Sequence, residues 1–353
     1  MKRSAAAPRL VVCTLLFLSS LLLVGSSPPT TPSLAFPRDH GSHPAAAIEW
    51  WYYTGNLSDA AGHPFGFQLT FFRVGDFALA HGAWTDGARG VFEFQEKAHL
   101  VLPGIAEFAE GRLDVSNEDW SASAQDRVHR LRIRWENRAV DLVLTAAKPP
   151  VLQGEKGLSR KGPGENEYSH YVSIPRLSAS GALVEGGRRA ALSGTAWFDH
   201  EWGPGALPAG AAGWDWFALQ LDDGSELMLY RIRTKEGRAT PISSGVFVPP
   251  AGDPVPLRWD EVRFQATGKW RSPRSKGVYP SGWEIALPRL ALALRVDPLV
   301  ADQELVTGRS TGVTYWEGAC RVTGQRGGKP LTGKGYAELT GYSGRDVPGF
   351  TSR

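Results

Sequence analysis

Several blocks rich in aromatic and aliphatic residues occur twice in this chain, in the same order and roughly 140–165 residues apart. A repeat at that spacing indicates two copies of one structural unit of about 150 residues, which limits the folds available to the chain. The matching blocks are residues 50–57 with 214–221, 67–73 with 227–233, 141–145 with 291–295, and 192–197 with 331–336.

The residues around these blocks read as short β-strands separated by turns. Residues 45–57 and 65–73 flank a segment rich in Ser, Asp, Gly and Pro, which predicts a β-hairpin. Many short strands in a unit of this size are typical of a barrel with one ligand cavity. Further β-rich runs occupy residues 77–84, 92–102, 112–115, 128–135, 140–146, 168–177 and 190–198.

We therefore expect an all-β fold of two tandem barrels, at residues 36–208 and 209–353. A connector rich in Gly, Ala and Pro, residues 203–213, joins them. The Gly- and charge-rich loop at residues 153–166 is expected to be a mobile lid or a disordered excursion.

The N-terminus has the pattern of a signal peptide. Three basic residues precede an apolar run at residues 10–24, which is shorter than the ~20 residues that span a bilayer comfortably. Ser33 and Ala35 are the small residues of a cleavage site. We predict a signal peptide at residues 1–35 and export to the periplasm or beyond, with a retained membrane anchor as the alternative.

Charge and cysteine content narrow the classes of partner. The net charge of +3, with both signs interspersed, gives no footprint for nucleic acid. Cys13 lies in the predicted signal, so Cys320 remains alone and no internal disulfide forms. The aromatic content favours a hydrophobic small molecule or lipid as partner, with peripheral membrane contact as a further expectation.

The two copies differ at the end of the first unit. Asp199, His200, Glu201 and Trp202 lie in a segment whose counterpart in the second copy reads Glu-Leu-Thr-Gly. Residues needed only for the scaffold should occur in both copies; His200, Glu201 and Trp202 do not, so these three are candidates for chemistry. In a strand His200 and Trp202 face one side and the two acids the other. We expect His200 and Trp202 to line one cavity; the alternative is a hydrogen-bonded interface histidine.

Asp215, set between Trp214 and Trp216, is the second candidate. Apolar aromatic surroundings favour the neutral carboxyl, which raises its pKa and makes it a proton donor near neutral pH. The alternative is an aspartate facing solvent. We expect Asp215 and His200 to handle protons together.

A third group comprises His40, His43 and Glu49. An H-x-x-H pair with a carboxylate and one more histidine would suit a metal ion, but the chain has no C-x-x-C or H-E-x-x-H spacing. We predict no metal and no other cofactor. Glu49 is expected to bond backbone groups or Arg73.

Five motifs together resemble the carotenoid 1,2-hydratase (hydroxyneurosporene synthase) superfamily, and in particular its exported, AttH-like branch, often labelled predicted secreted hydrolases. The resemblance covers residues 36–353 and implies two lipocalin-like barrels. The motifs are the Asp-His-x-x-His-Pro of residues 39–44, the Glu-Trp-Trp-Tyr of 49–52, and residues 67–73, 197–203 and 214–221.

The resemblance also implies an activity. Members of the hydratase branch add water to an isoprenoid carbon–carbon double bond without a cofactor: an acid protonates the alkene, aromatic faces stabilise the cation, and water captures it. The family's histidine, tryptophan and aspartate roles map onto His200, Trp202 and Asp215.

We therefore expect an exported, cofactor-independent enzyme acting on an apolar isoprenoid or acyl substrate, by acid-catalysed hydration. A non-catalytic lipid carrier of the cell envelope and a metal-dependent hydrolase are the alternatives. The predicted catalytic residues are His200, Asp215, Glu201 and Asp199. The predicted substrate-binding residues are Trp202, Trp214, Trp216, Trp50, Tyr52 and Glu49.

Overall fold

The computed structural model describes residues 33–205 and 207–344, which fold mainly as β-strands. Within them, thirteen strands form the first sheet: β1 (Ile48–Ser58), β2 (Pro64–Val74), β3 (Phe77–Asp86), β4 (Val91–Leu100), β5 (Ala106–Phe108), β6 (Asp114–Asn117), β7 (Trp120–Gln125), β8 (Val128–Trp135), β9 (Arg138–Ala146), β10 (Val151–Leu152), β11 (Leu158–Arg160), β12 (Tyr168–Glu185) and β13 (Arg188–Gly203).

The second half of the chain contributes a sheet of ten strands and a separate two-stranded sheet, again counting described residues. The strands are β14 (Ala211–Leu221), β15 (Glu226–Thr234), β16 (Ser244–Val248), β17 (Val255–Arg258), β18 (Arg263–Ala266), β19 (Lys269–Arg271), β20 (Val278–Pro280), β21 (Trp283–Leu287), β22 (Leu292–Pro298), β23 (Glu304–Val306), β24 (Thr314–Arg326) and β25 (Lys329–Thr340). The separate sheet is β19–β20.

Both large sheets have the same strand order around their centres. The first runs β3-β2-β1-β13-β12, and the second runs β16-β15-β14-β25-β24. The duplicated sequence blocks thus occupy equivalent strands, and each sheet curls around its own apolar core to form a lipocalin-like barrel. The all-β fold of two barrels predicted from the sequence is confirmed.

The central strands of each barrel are buried on both faces. In β13, Phe198 packs in the first core, whereas Trp197 packs in a third core between the barrels. In β14, Phe217 packs in the second core and Trp216 in the third. Because both faces meet apolar surroundings, these strands read as nearly continuous aromatic and aliphatic runs.

Two equivalent side-chain amides hold the barrels together. Asn56 Nδ2 in β1 donates a 3.1 Å hydrogen bond to the carbonyl of Gly335 in β25. Gln220 Nε2 in β14 donates a 2.8 Å bond to the carbonyl of Ala196 in β13. The two bonds occupy corresponding positions of the repeat, so the barrels pack as an approximately symmetric pair.

The predicted hairpin is confirmed, since β1 pairs with β2 in antiparallel register. The loop at residues 153–166 corrects a prediction, because it contains β11, which pairs with β12. Gly154 has a φ of +66°, and a Cβ there would lie 2.3 Å from the carbonyl oxygen of Leu158. Gly154 therefore lies in a tight, ordered turn, and this part of the loop is not a disordered excursion.

The structure does not test the predictions of a signal peptide and of a domain boundary. Most of the predicted signal peptide lies outside the described residues. The domain boundary at residues 208–209 falls between β13 and β14 and stays a prediction.

The helices of the described residues are three short 3₁₀ turns, and none has the length and apolar character needed to cross a membrane. They span Arg38–His40, Trp259–Glu261 and Pro288–Leu290.

Candidate functional site

A cavity lies between the two barrels. Its walls are the outer faces of β1, β2, β12 and β13 on one side and of β14, β15, β24 and β25 on the other. Aromatic side chains dominate these walls, as in many small-molecule sites. They are Trp50, Tyr52, Phe72, Tyr168, Tyr171, Trp214, Trp216, Tyr230 and Tyr315.

Four carboxyl groups line this aromatic cavity: Asp199, Glu201, Glu317 and Glu338. An apolar setting disfavours the charged form of a carboxyl group, so each one must gain a partner or keep its proton. The four groups differ in how they meet this requirement.

Glu317 in β24 is fully buried. Its Oε1 accepts a 2.7 Å hydrogen bond from Tyr52, and its Oε2 has no partner among the described residues. Burial raises the pKa of Glu317 well above its usual range, and the carboxyl of Glu338, directly opposite on β25, raises it further. Burial therefore favours the neutral, protonated form of Glu317, a residue that lines the cavity.

Asp199 in β13 is buried with three donors around it. Its Oδ1 accepts hydrogen bonds from Ser173 Oγ (2.5 Å) and Trp197 Nε1 (2.7 Å), and its Oδ2 accepts one from Tyr171 (2.7 Å). Burial raises the pKa of Asp199 to about 7, although the three hydrogen bonds oppose the shift. The group therefore changes charge near neutral pH.

The remaining two carboxyls are paired. Glu201 Oε1 lies 3.1 Å from Lys161 Nζ, which also sits over the rings of Tyr171 and Tyr230. Lys161 follows β11, so the loop at residues 153–166 contributes a cation to the cavity wall. Burial raises the pKa of Glu338 to about 7, against a hydrogen bond from Trp214.

His200 and Trp202 share a strand face, as predicted, but that face points into the first barrel and not into the cavity. His200 is fully buried, and its ring stacks 4.8 Å from Trp51 and lies 4.6 Å from Trp202. Its Nε2 lies 3.0 Å from Glu49 Oε1. Burial lowers the pKa of His200, whereas Glu49 opposes that shift. His200 is therefore a buried histidine bonded to Glu49 inside the first barrel, neither in the cavity nor at an interface.

Glu49 is the centre of a polar cluster at this end of the first barrel. It accepts hydrogen bonds from the backbone N–H of His43 and from Ser42 Oγ, and Arg73 Nε lies 3.5 Å away. Burial opposes ionisation of Glu49, but hydrogen bonds from His200 and His43 outweigh it and hold its pKa at about 2. Glu49 thus accepts a backbone hydrogen bond, one of the contacts expected from the sequence, and forms an ion pair with Arg73.

His43, Glu49 and His200 are also the group whose ligand atoms lie closest to a metal-binding arrangement among the described residues, all within 4.8 Å of one another. His43 Nδ1 and His200 Nε2 lie 2.8 and 3.0 Å from the same carboxylate oxygen. Such distances are those of direct hydrogen bonds. The carboxylate is therefore satisfied by hydrogen bonds as the side chains stand.

Asp215 faces the interior of the second barrel, away from the cavity and from His200. Its Oδ1 accepts hydrogen bonds from Arg233 Nε (2.8 Å) and Tyr342 (2.9 Å), and its Oδ2 accepts one from Arg231 Nε (2.9 Å). The structure does not bring Asp215 and His200 together, because they lie in different barrels.

The cavity thus collects six of the ten predicted site residues: Asp199, Glu201, Trp50, Tyr52, Trp214 and Trp216. Sequence reasoning missed Glu317 and Glu338. The repeat held a signal for both, since Glu338 is the counterpart of Asp199, and Glu317 stands in β24 where β12 has Ser173. An acid that replaces a serine in one copy is the kind of departure that marks chemistry.

Comparison with known proteins identifies a family model and a crystal structure that match most of this chain. The AttH-like family model matches residues 27–342. The crystal structure of an AttH candidate from Nitrosomonas europaea is 38% identical, covers 90% of this chain and 99% of its own, and superposes with a TM-score of 0.82. Among curated proteins, none matches the sequence.

Two more distant structures share the fold. Kievitone hydratase from Nectria haematococca is 17% identical, covering 90% of this chain and 98% of its own, with a TM-score of 0.71. CghA, solved with Sch210972, is 15% identical, covering 85% and 90% of the two chains, with a TM-score of 0.52. At these identities the likeness shows the fold alone. The resemblance noted in the sequence is confirmed by a match over most of its length, and the chain belongs to the AttH-like family.

Proposed function

We propose that this protein is an exported enzyme that adds water to a carbon–carbon double bond of an apolar substrate, in the cavity between its barrels. The observation that carries the proposal is Glu317, a fully buried acid whose Oε2 has no partner among the described residues and which lines an aromatic cavity. A neutral carboxyl in such a site is a general acid able to protonate an alkene.

The surrounding residues suit the cation that protonation creates. Indole and phenol faces attract cationic charge, and Trp50, Trp214 and Trp216 line the cavity. Asp199, whose pKa burial raises to about 7, supplies negative charge on the opposite wall in its ionised form. Water that captures the cation gives an alcohol.

The family match and the hydratase among the distant structural neighbours are compatible with this chemistry. The predominance of aromatic residues in the walls supports an isoprenoid, polyketide-like or acyl substrate over a charged metabolite. The signal-peptide pattern supports export.

The test is incubation of the purified protein with a panel of unsaturated isoprenoids, prenylated phenols and fatty acids in ¹⁸O-labelled water, with mass spectrometry of the products. We expect label in a new hydroxyl group. E317Q should lower turnover by about 10²–10⁴-fold, the usual contribution of a general acid.

E304Q is the matched control, because Glu304 is a second fully buried glutamate that does not line the cavity. It should retain turnover per folded molecule. Tight binding of the panel without product, equal in wild type and E317Q, would overturn the hydratase and support the lipid-carrier alternative.

A further inference from the structure

A chain of hydrogen bonds leads from the cavity towards the surface across the seam between the barrels; its first bond is buried and the next two are partly buried. Tyr315, in the cavity wall, lies 2.8 Å from His81 Nδ1 of β3. His81 Nε2 lies 2.8 Å from Ser310 Oγ, and Ser310 Oγ lies 2.5 Å from Glu96 Oε2 of β4. Four side chains from two barrels thus form one continuous path.

The direction of each bond follows from counting protons. The Ser310 hydroxyl has one proton and donates it to the Glu96 carboxylate, so it must accept from His81 Nε2–H. Burial lowers the pKa of His81 to about 3, so the ring is neutral and its Nδ1 carries no proton. The Tyr315 hydroxyl therefore donates to His81 Nδ1.

The inner and outer parts of the path have different surroundings. His81 is 1% exposed and packs against Phe72, whereas the Glu96 side chain is 6% exposed and pairs with Arg309, whose side chain is 84% exposed. Burial, with the nearby carboxyls of Glu317 and Glu338, raises the pKa of Tyr315 well above its usual range. The phenol thus stays protonated unless its proton leaves towards His81.

We propose that Tyr315 accepts the proton released by the water that adds to the substrate, and that His81, Ser310 and Glu96 carry the charge to solvent. This inference rests on the proposed function, for which it supplies the missing base. As water loses a proton to the Tyr315 oxygen, the Tyr315 proton passes to His81 Nδ1. The His81 Nε2 proton passes to Ser310, and the Ser310 proton passes to Glu96.

The protons balance over one turnover, and the next turnover requires His81 to return from the Nδ1–H to the Nε2–H tautomer. Glu317 gives one proton to carbon, the attacking water gives one to the path, and Glu96 releases one to solvent. Glu317 regains a proton from solvent when the product leaves. Tyr315 is the proton acceptor, and the other three are positioning residues that act through it.

The first experiment needs no substrate. Nitrogen-15 NMR of labelled histidines at pH 7, with the His81 signals assigned through H81Q, reports the tautomer of the ring. We expect the Nε2–H form in the wild type. In E96Q the Nδ1–H form should appear, because the glutamine N–H can donate to Ser310 and turn its hydroxyl towards His81. E93Q, which alters another acid of β4 that pairs with Arg138 away from the seam, should leave the tautomer unchanged.

The second experiment uses a substrate that the labelled-water panel identifies. E96Q and S310A should each lower kcat by about tenfold or more and straighten a curved dependence of rate on the deuterium content of the solvent. E93Q should change neither. A merely structural role for the path would alter stability without altering the isotope dependence.

The possible failures are distinguishable. An Nδ1–H tautomer in the wild type, or E96Q and S310A rates equal to that of E93Q while E317Q abolishes turnover, overturns the path alone. Full turnover in E317Q overturns the proposed hydratase, whatever the tautomer of His81.

Discussion

Tyr52 of the first barrel donates a 2.7 Å hydrogen bond to Oε1 of Glu317 in the second barrel. In the protonated form of Glu317 that the proposed function requires, this bond occupies Oε1 and leaves Oε2 to hold the proton. The same bond ties the two barrels together at the cavity. This one hydrogen bond therefore contributes both to the packing of the barrels and to the proposed chemistry.

Removing the Tyr52 hydroxyl should lower both the stability of the protein and its turnover. In Y52F, Glu317 Oε1 loses its donor, and a buried acceptor without a partner costs about 1–3 kcal/mol. We expect the free energy of unfolding, from urea denaturation, to fall by that amount and turnover to fall as well. Y53F is the control, since Tyr53 bonds His129 inside the first barrel: it should lose similar stability but keep turnover per folded molecule. Equal turnover in the two variants would contradict the role of Tyr52.

Asp199 should make stability depend on pH. Its pKa is raised from 3.8 to about 7 in the folded protein, so the folded state binds a proton that the unfolded state releases. Its contribution is fully present below about pH 4 and is lost as pH rises to about 7, for a total on the order of 4 kcal/mol. D199N should flatten the stability curve over this range. Parallel curves for wild type and D199N would refute the assignment.

His200 is expected to act in stability, although the sequence suggested catalysis. H200A leaves Glu49 without one donor and opens a void between Trp51 and Trp202, at a cost of about 2–5 kcal/mol. The melting temperature should fall, and turnover per folded molecule should persist. A variant of normal stability without activity would restore His200 as a catalytic group.

Chelation should leave the protein unchanged. The Glu49 carboxylate already accepts hydrogen bonds from His43, Ser42 and His200. We therefore expect the stability of the protein not to depend on a bound ion. Treatment with EDTA, followed by thermal unfolding, should give the melting temperature of the untreated protein. A drop that zinc restores would revive the metal-dependent alternative.

The fold could be predicted because its signals are local and repeated. The aromatic blocks of β1 and β14 recur at fixed spacing, and turns rich in Gly and Pro separate the strands. The short strands β5, β10 and β11 escaped notice, since two or three residues carry no alternating pattern.

The site was only partly accessible to sequence reasoning. Alternation along β13 separates Asp199 from His200, but it does not say which face meets the second barrel. Asp215 was misjudged because its partner Arg231 lies directly opposite it on β15, a pairing that depends on hairpin register. Glu317 owes its properties to Tyr52, 265 residues away, and to burial between barrels.

The protonation state of Glu317 tests the account most directly. The infrared difference spectrum between wild type and E317Q at pH 7 isolates the absorption of this one carboxyl group. We predict the C=O band of a protonated acid at pH 7, because burial raises the pKa of Glu317 well above its usual range. Carboxylate bands at pH 7 would mean that Glu317 is ionised and has no proton to give, and the proposed chemistry would be wrong.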